Sequence, residues 1–337
     1  MVGRVVPGGP FRVGILAFDG CFAAEIFGLS DLLLMANRVA LASTATVGDQ
    51  FEVSVLSAGG GPVSAAGGCP LGATLAHTGL DVLVVPGFEV MPGDDLDATL
   101  GAWTAETRFI AAAVAVGVPV ASVCVGAFLL GEAGVLDGRR ATTSWLFSAA
   151  LASRFPDVSV TPEAIVVADD AVTTTAGFSA VHDLAIRLIR RHAGEQVARR
   201  TARVALVADN RTTQTPYVDD SMLLAPSSRF AHDVQRRLLE RLDQPYDLGA
   251  LSREFNVSTR TMLRRFAAEA GRSPLDFLQS ARVQAAKRLL ETDDMSVAAV
   301  MEQVGYRDAG TFRRLFTEQV GVTPAAYRRQ FRAVGAR

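Results

Sequence analysis

The chain has 337 residues, 49% hydrophobic and 20% charged, a length and apolar content that predict two domains with ample core. No charge-free apolar run is long enough to span a bilayer and the N-terminus lacks a signal core with a cleavage site, so the chain reads as soluble and cytoplasmic, without membrane contact. Three cysteines, Cys21, Cys69 and Cys124, are too few and too scattered for a disulfide framework or a zinc site, and neither metal nor cofactor is expected.

In chain order, Arg12–Phe18 is predicted as a strand, Ala24–Arg38 as a helix, and Phe51–Ser57 and Val82–Pro86 as further strands. A single long helix is expected over Leu96–Val116, then a strand at Val118–Val123. Structured residues follow at Trp145–Phe155, with a short strand near Ile165–Ala168 and a helix over Ser179–Ala193. This alternation predicts an α/β fold, a doubly wound parallel sheet of flavodoxin-like type, covering residues 11–211. Thr212–Ser228 carries Pro216 and Pro226 without periodicity and reads as a linker.

From Arg229 to about residue 334 the pattern is all-helical. The predicted helices are Arg229–Leu242, Leu248–Phe255 behind the cap Asp247, a helix from the cap Ser258 to Ala270, and Leu275–Glu291 behind Ser273-Pro274. Ser296–Val304, Ala309–Val320 and a closing helix at Thr323-Pro324 follow. FAAEAGRSPLDFL from Phe266 repeats fifty residues later as FTEQVGVTPAAYR from Phe316, so two helix-turn-helix units of one design are expected. In the first, Met262 and Phe266 face the core, leaving Arg260, Thr261, Arg264 and Arg265 outward. In the second, Phe312, Leu315 and Phe316 are core, and Thr311, Arg313 and Arg314 are outward. Arginine suits bidentate contact with guanine in the major groove. The net charge of −2 conceals a division: residues 229–337 carry 19 basic and 13 acidic side chains, a net of +6, against −8 for residues 1–228. A basic module on an acidic body is the arrangement of a tethered reader of double-stranded DNA.

Residues 247–331, with SVAAVMEQVGYRDAGTFRRLF followed by GVTPAAYRRQF, resemble the DNA-binding domain of the AraC/XylS family. The resemblance implies two recognition helices in successive major-groove segments. It assigns base reading to Arg260 and Arg264 in the first and to Thr311, Arg313 and Arg314 in the second. Phosphate contact is implied at the helix N-terminus capped by Ser258, beside Thr261.

VASVCVGAFLL places Cys124 on a strand-to-helix elbow, a geometry that lifts a side chain out of the sheet, where the helix N-terminus would favour a thiolate. A buried structural cysteine is the other reading of the same residues. SVCVGAFLLGEAGVLDGRRATTSW, the stretch GCFAAEIFG from Gly20 and TTTAGFSAVHDLAIRLI from Thr173 resemble the class I glutamine amidotransferase-like superfamily, ThiJ/PfpI branch, over roughly residues 11–195. By that resemblance Glu25 takes the position of a carboxylate near the cysteine and Pro86-Gly87 the loop beside the elbow, with Phe88 where many members have a second Gly. Many enzymes of the superfamily have His directly after the cysteine; this chain has Val125. Of the four histidines, His77, His182, His192 and His232, only His182 is a candidate for approach to the elbow through folding.

The expectation is therefore not an enzyme. Residues Glu25, Gly87, Cys124, Val125, Phe128, Trp145, Ala176 and Gly177 would instead line a pocket for a small-molecule effector at the C-terminal ends of the strands. The order of the halves resembles the GlxA-type transcriptional regulators and implies a homodimer. The alternative is a hydratase- or amidase-type enzyme using Cys124 and Glu25 with an appended DNA-binding domain. A Cys21–Cys124 redox switch is a further expectation.

Overall fold

In the computed structural model, which describes residues 9–43, 49–75, 79–219, 222 and 229–332, strands and helices alternate through the first half of the chain. They are β1 (Phe11–Leu16), α1 (Ala23–Ser43), β2 (Phe51–Leu56), the two-residue strands β3 (Val63–Ser64) and β4 (Pro70–Leu71), and β5 (Val82–Val85). Next come α2 (Leu96–Gly101), α3 (Thr104–Ala115), β6 (Val120–Ser122), α4 (Gly126–Glu132), β7 (Arg140–Ala141) and α5 (Ser148–Arg154). β8 (Ser159–Val160), β9 (Val166–Asp169), β10 (Val172–Thr175), α6 (Ala180–Ala193) and α7 (Glu195–Val204) complete the series.

Six strands form one sheet in the order β2-β1-β5-β6-β10-β9. Every neighbouring pair is parallel except the hairpin β9–β10, which turns at Asp170 with φ +54°. β5 and β6 are buried at every position because helices cover both faces of a parallel sheet, and their sequences VLVV and VAS carry no charge for that reason. α1, α6 and α7 pack together, as do α2, α3 and α4.

Three features depart from the sequence reading. The long helix expected over 96–116 breaks between α2 and α3. Trp103 leaves the helical path because its indole N–H donates to the Asp19 carbonyl at 3.1 Å and its ring packs on Phe18 and Phe88, at 5.0 and 4.7 Å between centroids. Val172–Thr175, for which no strand is predicted above, form the sheet strand β10 and give the parallel sheet an antiparallel edge at β9. The stretch expected to be a linker begins with built structure. Gln214, 3% exposed, donates to the carbonyls of Thr143 (2.9 Å) and Pro162 (2.8 Å) and accepts the Trp145 N–H at 2.9 Å. Residues 220–221 and 223–228 of that stretch lie outside the described residues.

The chain divides into two compact units, residues 1–214 and 215–337. The second holds α8 (Arg229–Glu240), α9 (Leu248–Glu254), α10 (Thr259–Ala270), α11 (Pro274–Thr292), α12 (Val297–Gln303), α13 (Ala309–Val320) and α14 (Pro324–Phe331). Caps read from the sequence form as hydrogen bonds. Ser273 and Asp276 make a reciprocal capping box at α11, and Thr323 caps α14, each ahead of a proline. The unit has two cores. Met262 and Phe266 pack with Val234, Leu251, Phe277 and Leu278; Phe312 and Phe316 pack with Val283, Leu290, Val300 and Tyr327. α11 contributes to both and joins the two units of the repeat.

Two cations of α11 are buried by this arrangement. Arg282 donates to the carbonyls of Leu242 (2.8 Å) and Gln244 (2.5 Å) over the Tyr306 ring. Lys287, the only lysine of the chain, donates to the Val218 carbonyl. A buried cation needs such partners to offset its desolvation.

Candidate nucleic-acid interface and ligand site

α9 and α10 are joined by a tight turn in which Asn256 adopts φ +53°; α12 and α13 are joined by one in which Gly305 adopts φ +86°. Only glycine fits the second position, since a Cβ there would stand 2.8 Å from the Asp243 backbone. Each second helix begins at a matched cap fifty residues apart. The Ser258 hydroxyl accepts the Thr261 N–H at 3.2 Å, and the Asp308 carboxylate accepts the Thr311 N–H at 2.7 Å. Bonds from the Thr311 hydroxyl and N–H hold the Asp308 carboxyl below its usual range. The sequence reading missed Asp308, although Asp three residues before Thr311 is an N-cap signal.

Arg260, Arg264, Arg313 and Arg314 are exposed on these helices, as are Ser258 and Thr311, while Thr261 is half-buried against the Ser258 hydroxyl. Arg314 has one weak tie, to Glu318 at 3.8 Å. Arg265 does not share this freedom. It bonds Glu269 at 2.7 Å and lies over the Phe230 ring at 4.0 Å, so it braces α10 against α8. Arg265 is exposed, as expected, and is tied along the helix surface by these two contacts.

In the other unit, Cys124 stands at the end of β6 with φ +53°, a strained conformation held by its N–H donating to Ala176 O (2.9 Å) and by the Thr143 hydroxyl donating to its carbonyl (2.8 Å). Gly126 lets α4 start immediately, because a Cβ there would fall 2.6 Å from the carbonyl oxygens of Val85 and Pro86. Gly126→Ala is therefore expected to destabilise this unit by about 1–3 kcal/mol through overpacking, read as a lowered thermal midpoint; an unchanged midpoint would mean that the elbow relaxes freely.

Gly87 brings the site together. Its N–H donates to Glu25 Oε2 at 2.6 Å, and a Cβ on it would stand 3.0 Å from the Cys124 Cβ and 3.3 Å from the Glu25 oxygens. Glu25 is 1% exposed, and its Oε1 is buried without a partner. Burial pushes its carboxyl up to about 8, against the Gly87 hydrogen bond, so at neutral pH it is mostly the neutral acid. Burial and then the Glu25 charge push the Cys124 thiol up to about 12, outweighing the backbone N–H groups of Val125 and Phe178. The thiolate expected from the helix N-terminus is corrected accordingly: desolvation dominates.

Residues 12–191, more than half of the chain, match the DJ-1/PfpI family. The chain belongs to the DJ-1/PfpI family. Residues 251–330 match a helix-turn-helix domain. A relative in Streptomyces lividans, an uncharacterized protein of the cpoL 5' region, is 39% identical over 151 residues, covering 44% of this chain and 97% of that protein. The HTH-type transcriptional regulator CdhR of Pseudomonas aeruginosa is 29% identical, covering 82% of this chain and 81% of its own length. The HTH-type transcriptional regulator GlxA of Rhizobium meliloti is 27% identical over 83% of this chain and 86% of its own length. The chain is an AraC-type DNA-binding transcriptional regulator with an N-terminal DJ-1/PfpI domain.

Within the DJ-1/PfpI domain, Glu25, Gly87, Cys124, Val125 and Ala176 meet around the elbow, and Gly177 follows beside Ser144. Phe128 does not join them. Its ring is fully buried against Phe147 and Phe155, at 6.5 and 6.2 Å, so its expected place in the pocket is corrected to the α4–α5 core. Trp145 opens a 3-10 turn whose N–H is held by Gln214. Phe22 and Phe178, which the sequence reading omitted, meet edge to face at 5.4 Å. His182 lies on α6 against Gly28 of α1, His192 packs between Phe11 and Phe51, and His232 is exposed beside Asp233. His77 lies outside the described residues. Cys21 and Cys124 are both buried free thiols. Among the described residues no cluster of His, Cys, Asp or Glu could hold a metal ion, and no helix is long and apolar enough to cross a membrane.

Proposed function

We propose that the DJ-1/PfpI domain binds a small effector beside Cys124, pairs with a second copy of the chain, and thereby sets the spacing of the reading helices on DNA, without catalysing a reaction. The observation that carries this reading is the matched pair of capped helices presenting exposed arginines at one register, Arg264 with Arg314. The relatives CdhR and GlxA, both HTH-type transcriptional regulators, support it. Base contacts are proposed for Arg260, Arg264, Thr311, Arg313 and Arg314, and phosphate contact at the α10 N-terminus around Ser258 and Thr261. The non-enzymatic reading rests on a neutral thiol beside a neutral acid, which supplies neither an activated nucleophile nor a strong base.

The test is selection of genomic fragments by the purified full chain at physiological salt. Recovery of a motif with half-sites about one helical turn apart is expected. Sequence-blind, salt-sensitive retention would refute specific reading. Turnover of amide or isonitrile substrates, abolished by Cys124→Ser, would restore the enzyme alternative.

Pairing is supported by α1. Phe27, Leu34 and Leu41 recur every seven residues on one face and are 48%, 51% and 42% exposed, with Asp31 and Arg38 exposed between them. An antiparallel copy crossing at Leu34 sets Phe27 against the partner's Leu41 and Asp31 against the partner's Arg38, a self-complementary seam. Leu34→Asp places two carboxylates at the two-fold axis and is expected to weaken dimerisation by about 2 kcal/mol or more. Sedimentation of wild type and variant decides; a monomeric wild type removes the seam.

A further inference from the structure

A cavity of about 540 Å³ opens in the DJ-1/PfpI domain at the end of the sheet opposite Cys124. It is walled by the starts of β1, β5, β6 and β10, including Phe11, Val82, Val120 and Thr173, and by α6. α6 runs antiparallel to these strands, so it brings Leu184 and Leu188 onto the cavity and sets Arg187 and Arg191 at its rim. None of the residues grouped around Cys124 lines it.

The chemistry of the lining is that of a binding site for an amphipathic anion. The walls are largely apolar, and the volume lies within the range of small-ligand sites. Arg187 and Arg191, one helical turn apart on one face, are exposed, and neither forms an ion pair with an acidic side chain among the described residues. The acidic groups of the lining are occupied elsewhere: Asp81 accepts the Arg12 N–H at 2.8 Å and faces its guanidinium at 3.7 Å, and Asp170 lies 3.8 Å from Arg139. Planar guanidinium forks match a carboxylate in two-pronged geometry. The two acidic side chains in the lining disfavour a ligand of higher negative charge.

We infer that this cavity binds a small monocarboxylate with an apolar body, its carboxylate held by Arg187 and Arg191 and its body laid on Phe11, Val82, Val120 and Leu188. This site is separate from the one proposed at Cys124 and does not depend on it.

The experiment titrates octanoate into the full-length protein by calorimetry, beside octanol, octylamine and octyl phosphate. Octanoate is expected to bind, with each comparator about tenfold weaker or more, the difference carried by charge-assisted bonds. Arg187→Ala/Arg191→Ala, which alters exposed side chains only, is expected to lose about tenfold in octanoate affinity and none for octanol. Ala171→Trp, an exposed wall position, is expected to abolish binding, while Cys124→Ser leaves it unchanged. No octanoate binding to wild type, equal affinity for octanol, or full affinity in either cavity variant would overturn the inference. Loss in Cys124→Ser alone would move octanoate to the elbow and overturn it equally.

Discussion

Replacing Arg264 and Arg314 together by Ala is expected to cost about 2–6 kcal/mol of operator affinity, at roughly 1–3 kcal/mol for each bidentate base contact. The two positions sit on separate helices over separate cores, so their effects should add. Arg264 is expected to carry the larger share, because Arg314 must leave Glu318, although an ion pair this exposed is worth only about 0–1 kcal/mol. Fluorescence anisotropy on the selected operator and on a scrambled duplex, at fixed salt, separates the roles. Equal loss on both duplexes would demote the residue to a phosphate contact, with the salt slope falling by about one for each arginine. Arg265→Ala is the internal control. It should lower the stability of the helical unit through loss of the Phe230 and Glu269 contacts while leaving the ratio of specific to scrambled binding unchanged.

Glu25→Gln is expected to stabilise the DJ-1/PfpI domain at pH 8 and above and to change it little at pH 5. Burial raises the Glu25 carboxyl from its usual 4.5 to about 8, so the folded chain holds this proton more tightly than the unfolded chain does. Its contribution is fully present below the unfolded value and is lost as pH rises through the interval from about 4.5 to about 8. The loss is of order a few kcal/mol for a shift of this size. Gln keeps an acceptor for the Gly87 N–H, carries no charge to desolvate, and has nothing to titrate. Thermal midpoints of wild type and variant across pH 5–9 give the answer. Parallel curves would mean that the carboxylate finds solvation on ionising and that Glu25 is not held as the neutral acid. Because the Glu25 charge also raises the thiol, the variant should make Cys124 titrate at a lower pH than in wild type.

Local signals specified the helical half almost completely. The caps Asp247 and Ser258, the helix starts at Ser273-Pro274 and Thr323-Pro324 and the fifty-residue repeat were legible because a cap and its helix involve neighbours within four residues. The elbow was legible for the same reason, since strand, Cys124 and Gly126 are contiguous. What the sequence left open depends on which distant surfaces meet. Trp103 breaks a helix of good local periodicity because Asp19, Phe18 and Phe88 lie elsewhere in the chain. Arg265 and Arg264 are adjacent, chemically alike and both exposed, and only the packing of α8 on α10 lays Arg265 over Phe230. Phe128 follows the elbow closely yet faces a core built by Phe147 and Phe155. The protonation of Glu25 and Cys124 was decided the same way. A charge is set by the water and dipoles around it, and these come from β5, β6 and the Gly87 loop, which only the folded chain brings together.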